Sequence, residues 1–130
     1  PEESSNFSIE AEKVGLDIIR LIAPTTSSTR AKKICSQCSG YVYYISVKGI
    51  TGASNINADE VKAKVSELRS HTDLPIAIGF GIKDSASASS VKDVADGVVA
   101  GSVFVDLIGE GGNIIEKVES KTKELSEVLN

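Results

Sequence analysis

The chain has 130 residues, of which 41% are hydrophobic, enough for one core of ordinary size, so residues 1–130 are expected to form a single domain. Fourteen Lys and Arg stand against eighteen Asp and Glu for a formal net charge of −4, and no basic cluster interleaves with aromatic residues, which excludes a nucleic-acid partner. The longest apolar runs are broken by charge and too short to cross a bilayer, and no basic segment precedes an apolar one, so a soluble cytoplasmic protein is expected.

In chain order, the first expected element is a helix over residues 2–14, with Phe7, Ala11 and Val14 along one side and Gly15 as a left-handed cap. A strand over residues 17–23 follows. Residues 28–38 place Ala31, Ile34, Cys35 and Cys38 at helical spacing behind a Thr/Ser-rich cap, closed by Gly40. Residues 41–46 form the second strand. After Asn57 an acidic first turn opens a third helix that buries Val61, Val65 and Leu68. Residues 75–80 and 97–102 are the third and fourth strands, with a short Ser/Ala-rich helix over 86–95 between them. A helix over 103–108, a break at Gly109-Glu-Gly-Gly112 and a terminal helix with Ile114, Ile115, Val118 and Leu125 complete the chain.

All four strand runs are short, β-branched and nearly continuous, as strands covered on both faces are, and they alternate with helical stretches. That alternation predicts a parallel α/β sheet. Open doubly wound sheets and closed barrels both begin this way. Two features favour the C-terminal half of a (β/α)8 TIM barrel: the first element is a helix with no strand before it, and glycines follow the last two strands. Barrels of this kind hold phosphate with the loops after strands seven and eight and the N-terminus of a short extra helix.

Phosphate held by a loop needs backbone N–H groups that converge on one concavity, and glycine where a side chain would obstruct the oxygens. Gly79 and Gly81 meet that need after the third strand and Gly101 after the fourth. Ser102 adds a hydroxyl and opens a helix whose positive end favours a dianion. Each glycine alone is equally compatible with a tight turn. Residues 47–55, with glycines among polar residues past a strand end, have the composition of a lid over a barrel site or of an ordinary surface loop.

The other reactive residues are assigned structural places. Cys35 and Cys38 form a lone C-x-x-C, expected to be two reduced thiols at a helix end, because no further Cys and only His71 are at hand for a metal. His71 is expected in a surface turn, and Lys83 facing solvent. Tyr43, Tyr44 and Ser46 lie near the second strand's end, but no carboxylate pair does, and Asp17 stands at the wrong end of its strand.

Five strings occur in one order: Leu21-Ile-Ala-Pro-Thr-Thr26, Gly40-Tyr-Val-Tyr-Tyr-Ile-Ser46, Gly49-Ile-Thr-Gly52, Gly79-Phe-Gly-Ile82 and Ala100-Gly-Ser102. Together they resemble the tryptophan synthase α subunit family over essentially the whole chain. Members are about twice this long, so the resemblance implies that four strands of the barrel are not in this chain. It implies a lyase of tryptophan biosynthesis that cleaves indole-3-glycerol phosphate to indole and glyceraldehyde 3-phosphate without metal or cofactor, and passes indole to a pyridoxal-phosphate β subunit.

The catalytic carboxylates of the family belong to the other half of the barrel, so the resemblance implies a binding half, inactive alone. It gives Gly52, Gly79, Phe80, Gly81, Gly101 and Ser102 to the glycerol-phosphate grip, with Phe80 also touching indole. Tyr43 resembles the tyrosine bordering the catalytic glutamate, and Thr51 the lid threonine that fastens onto the catalytic aspartate. Val47 and Ser54-Asn55 stand where many members carry an arginine, and Lys48 nearby cannot reproduce bidentate arginine geometry. The alternative is an inactive phosphate-binding half-barrel module. An isomerase of the same fold would need an acid or base at these strand ends. With both outer strands unpaired, the chain is also expected to self-associate or to be only marginally stable.

Overall fold

The computed structural model describes residues 5–46, 58–79 and 81–130. The elements are α1 (Ser5–Lys13), β1 (Arg20–Ile22), α2 (Ser28–Cys35), β2 (Val42–Ile45), α3 (Ala58–Arg69), β3 (Ile76–Gly79), α4 (Ser85–Ser89), β4 (Gly97–Val99), α5 (Ser102–Gly109) and α6 (Ile114–Leu129). All four strands pair in parallel in the order β1-β2-β3-β4. Four successive βα units with sequence-adjacent strands form the arc of a barrel wall. A doubly wound sheet would reverse direction from its first strand instead.

Side chains alternate across a strand, so the register sorts them onto two faces. One face carries Ile22, Val42, Tyr44, Ile76 and Ile78, all buried. Ala31, Ile34 and Cys35 of α2, Val61, Val65 and Leu68 of α3, Ala88 of α4 and Leu125 of α6 close over it. The other face carries Leu21, Tyr43, Ala77 and Gly97 in register, and it is far more open, with Leu21 56% exposed.

Local chemistry sets the helix ends. Gly15, at φ +69°, ends α1 in a Schellman turn: its N–H donates to the Glu12 carbonyl and the Leu16 N–H to that of Ala11, both at 3.0 Å. Ser27 caps α2 through Arg30 N–H. The Asp84 carboxylate and Ser87 hydroxyl form a capping box on α4, and the Glu124 carboxylate of α6 accepts the Ser85 N–H at 2.9 Å.

Every expected strand is present and each is shorter than its apolar run, because only residues with a paired neighbour join the ladder. The helix expected over 28–38 ends at Cys35, and Gly40 does not close it. Gly40 lies four residues past the Ser36 cap at φ +72°, where a Cβ would fall 2.9 Å from Ile19 Cδ1. The helix expected over 86–95 shrinks to five residues, and Gly109 belongs to α5, leaving Gly111 and Gly112 with the positive φ angles of the break. His71 does sit in a turn, but it is less of a surface residue than expected: its Nε2 lies 3.2 Å from Ser28 Oγ, and 16% of the side chain is exposed.

At the amino ends of β3 and β4, Asp96 accepts the Ile76 N–H at 2.8 Å and two bonds from Arg69 at 3.0 and 3.1 Å. Burial pushes the Asp96 carboxyl up, but the Ile76 N–H and the Arg69 hydrogen bonds and charge outweigh it, so the group titrates below its ordinary value. Its share of the stability is therefore present at neutral pH and lost as pH falls below about 4. Asp96→Ala, which leaves a partly buried N–H unpaired, is expected to cost about 1–3 kcal/mol in urea unfolding at pH 7. The gap from the parent should narrow below about pH 4, where Asp96 takes up a proton; a gap constant with pH would remove the carboxylate from the account.

Candidate functional site

In parallel α/β folds, ligands bind at the carboxyl ends of the strands. Gly79 and Val99 are register partners at those ends of β3 and β4. Gly81 and Gly101 each stand two residues further on, so the fold brings both glycine signals to adjacent strand ends.

The three glycines stand in three different situations. Gly79 is buried, and a Cβ there would overlap the Tyr43 phenol, the nearest contact being its hydroxyl. Tyr43 projects from the open face of β2 and lies against the Gly79 α-carbon. Gly81 has φ +80°, a conformation costly for any residue with a Cβ. Gly101 is required by neither effect: its φ is −118°, and among the described residues no atom beyond its own chain neighbours and helix backbone lies within 4 Å of where a Cβ would stand.

Gly101 is also the N-cap of α5, with no side-chain hydrogen bond to the cap and no acidic residue in the first turn. The first N–H groups of a helix have no partner within it, so this end combines free donors, a positive dipole end and open space. Ser102, the first residue of α5, is exposed beside it. These features suit an anion bound through backbone amides. Lys83 is exposed beyond Gly81, as expected, and its N–H donates to Ser87 Oγ within the α4 cap.

Ser46 is a contributor to which the sequence assigns no role. It is 8% exposed, and both its N–H, at 3.0 Å, and its hydroxyl, at 3.1 Å, donate to the Gly79 carbonyl. The end of β2 thereby holds the residue from which the Gly81 turn departs. A serine closing an apolar run is its only sequence signal, and that alone does not separate a clamp from a strand end.

Thr51, Gly52 and Phe80, with the rest of segment 47–57, lie outside the described residues. Cys35 and Cys38 are free thiols; Cys38 Sγ lies 3.0 Å from the Tyr41 carbonyl. Burial pushes both thiols up, away from the reactive thiolate. Among the described residues no group of three His, Cys, Asp or Glu could hold a metal, and no helix is long and apolar enough to cross a membrane.

The family model described as tryptophan synthase alpha chain matches residues 1–130. The chain belongs to that family. It is 48% identical over 110 residues to the tryptophan synthase alpha chain of Thioalkalivibrio sulfidiphilus, covering 85% of this chain and 41% of the relative. To that of Polynucleobacter necessarius it is 40% identical over 132 residues, covering 100% and 50%. The solved structure of tryptophan synthase subunit alpha from Legionella pneumophila superposes with a TM-score of 0.81 at 29% identity, covering 99% of this chain and 48% of that one. The chain thus spans about half the length of the relatives it matches, and its four βα units are half of the family's barrel.

The Tyr43–Gly79 contact is testable by a double-mutant cycle. Gly79→Ala should destabilise the chain by about 1–3 kcal/mol, as overpacking does, and should cost well under half of that in a Tyr43→Ala background, where the phenol is gone. Equal costs in the two backgrounds would place the strain elsewhere.

Proposed function

We propose that this chain is the phosphate-holding half of a lyase of tryptophan biosynthesis, in which the complete barrel cleaves indole-3-glycerol phosphate to indole and glyceraldehyde 3-phosphate. The observation that carries the reading is Gly101: a glycine needed by neither φ nor packing, at an uncapped helix start beside open space. An anion bound there supplies the missing reason for the residue. The reading of that anion as a phosphorylated indole-glycerol rests on the family resemblance.

The division of labour follows from the residues. Amides near Gly81, Gly101 and Ser102 hold the phosphate, and Ser46 and Tyr43 fix Gly79 beneath that turn. Phe80 borders the indole, and Thr51 and Gly52 belong to the segment that closes over the substrate. The carboxylates that move protons come with the other half of the barrel, so the 130-residue chain alone binds without turning over, and delivery of indole to a β subunit is a property of the complete enzyme. No metal or organic cofactor has a role in this scheme.

The amide cradle and a lysine point charge make opposite predictions. In a full-length chain carrying this half, Gly101→Asp puts a like charge and a side chain into the cradle. Loss of one charge-assisted hydrogen bond costs roughly 1.5–3 kcal/mol, so glycerol phosphate affinity should fall at least about tenfold by calorimetric titration. Lys83→Ala should do much less. Normal binding by Gly101→Asp together with loss in Lys83→Ala would overturn the amide cradle.

A further inference from the structure

His71, the only histidine of the chain, lies in a polar cluster between α2 and α3. Ser28 Oγ, on the first residue of α2, stands 3.2 Å from its Nε2. Glu67 Oε1 is 4.0 Å from the same nitrogen, and Ser70 Oγ is 3.4 Å from the other ring nitrogen, Nδ1. Lys64 donates to the far oxygen of Glu67, Oε2, at 2.9 Å and to the Thr26 carbonyl, just ahead of α2, at 2.8 Å. The ring is thus faced by Ser28 from α2 and by Glu67 and Ser70 from the last turns of α3 and just past them, with Lys64 behind the carboxylate.

A count of protons fixes the tautomer. Ser70 has one hydroxyl proton and gives it to the Glu67 carbonyl at 2.6 Å, so towards the ring its oxygen can only accept, and Nδ1 carries the hydrogen. Nε2 of the neutral ring is then an acceptor, and the single proton of Ser28 goes there. Glu67 Oε1 is left over: it is buried and has no hydrogen-bond partner among the described residues, a costly state for a carboxylate oxygen. The Lys64 hydrogen bond holds the Glu67 carboxyl below its ordinary value. Burial opposes that, and the nearby Ser28 hydroxyl and the charges of Lys64 and His71 assist it. Glu67 therefore keeps its charge across the range in which a histidine titrates.

We propose that Ser28, His71 and Glu67 form a proton-operated clasp between α2 and α3. When the ring takes up a second proton, Nε2 becomes a donor and Ser28 Oγ its acceptor. The Ser28 hydroxyl proton is released from the ring and turns to Glu67 Oε1, and the positive ring comes to lie 4.0 Å from that oxygen. Lys64, a like charge to the protonated ring, stays committed to Glu67 Oε2 and the Thr26 carbonyl. One bound proton thereby adds a hydrogen bond from α2 to α3 and pairs the last buried oxygen. Because the added bond exists only with that proton in place, the clasp tightens as pH falls through about 6.5, the ordinary histidine value, and loosens as pH rises. It lies outside the proposed phosphate site and rests on none of the chemistry proposed there.

The test uses a full-length chain carrying this half. The ring-nitrogen shifts of His71, assigned by their loss in His71→Gln, should show a neutral ring with its hydrogen on Nδ1 at about pH 8. A neutral ring protonated on Nε2 overturns the clasp, and this reading is made on the unsubstituted protein, so it stands even if a variant fails to fold. Ser28→Ala should lower the urea midpoint more at about pH 5.5, where an ordinary histidine is charged, than at about pH 8, where it is neutral. In a His71→Gln background, with no titrating ring at this place, Ser28→Ala should lower the midpoint equally at both pH values. A loss in the parent that does not change with pH overturns the proposal. So does one that is larger at the higher pH, and so does a pH-dependent loss that persists in His71→Gln, since another group is then responsible.

Discussion

Both protons that Ser46 can offer go to one acceptor, the carbonyl of Gly79, and the rest of the site is built outward from that atom. On the α-carbon side the Tyr43 phenol occupies the space of a Cβ, so Gly79 is confined from two directions by residues of β2. The Gly81 turn departs from this fixed point, and α5 begins next to it on β4. A carbonyl that accepts two donors loses much of its freedom to rotate, so for the anion proposed above the end of β3 is ordered in advance, which lowers the entropy lost on binding.

The strands were legible because Val42-Tyr-Tyr-Ile45 and Ile76-Ala-Ile78 are short, nearly continuous apolar runs, the pattern of strands paired on both sides in a parallel sheet. Their limits were less so. Residues 17–19 have the composition of a strand, yet lie outside the ladder of β1. Gly15 was legible as a cap because its two bonds are local, whereas Gly40 was misassigned to one because its constraint comes from Asp17 and Ile19, more than twenty residues earlier. His71 illustrates the same limit: Ser28, forty-three positions away, draws it inward.

The candidate site divides similarly. Glycine spacing pointed to Gly79, Gly81 and Gly101 together, but the pattern treats the three as equivalent. Only the fold separates crowding by Tyr43, positive φ and open space, and these predict different consequences for the same substitution to alanine. Ser46 went unassigned because its partner is thirty-three residues away on another strand. The proposed identity of the anion and the proposed place of the acid and base come from the family resemblance, and from neither spacing nor geometry.

The last helix reaches further than its position suggests. Glu124 of α6 accepts the Ser85 N–H of α4, Lys121 holds the same carboxylate, and Leu125 enters the core. At five residues α4 is too short to persist by its own backbone bonds. It is held by α6, and during synthesis it would remain unsettled until α6 had left the ribosome. The turn before α4 begins at Gly81, so that connection takes its final form only once α6 is in place.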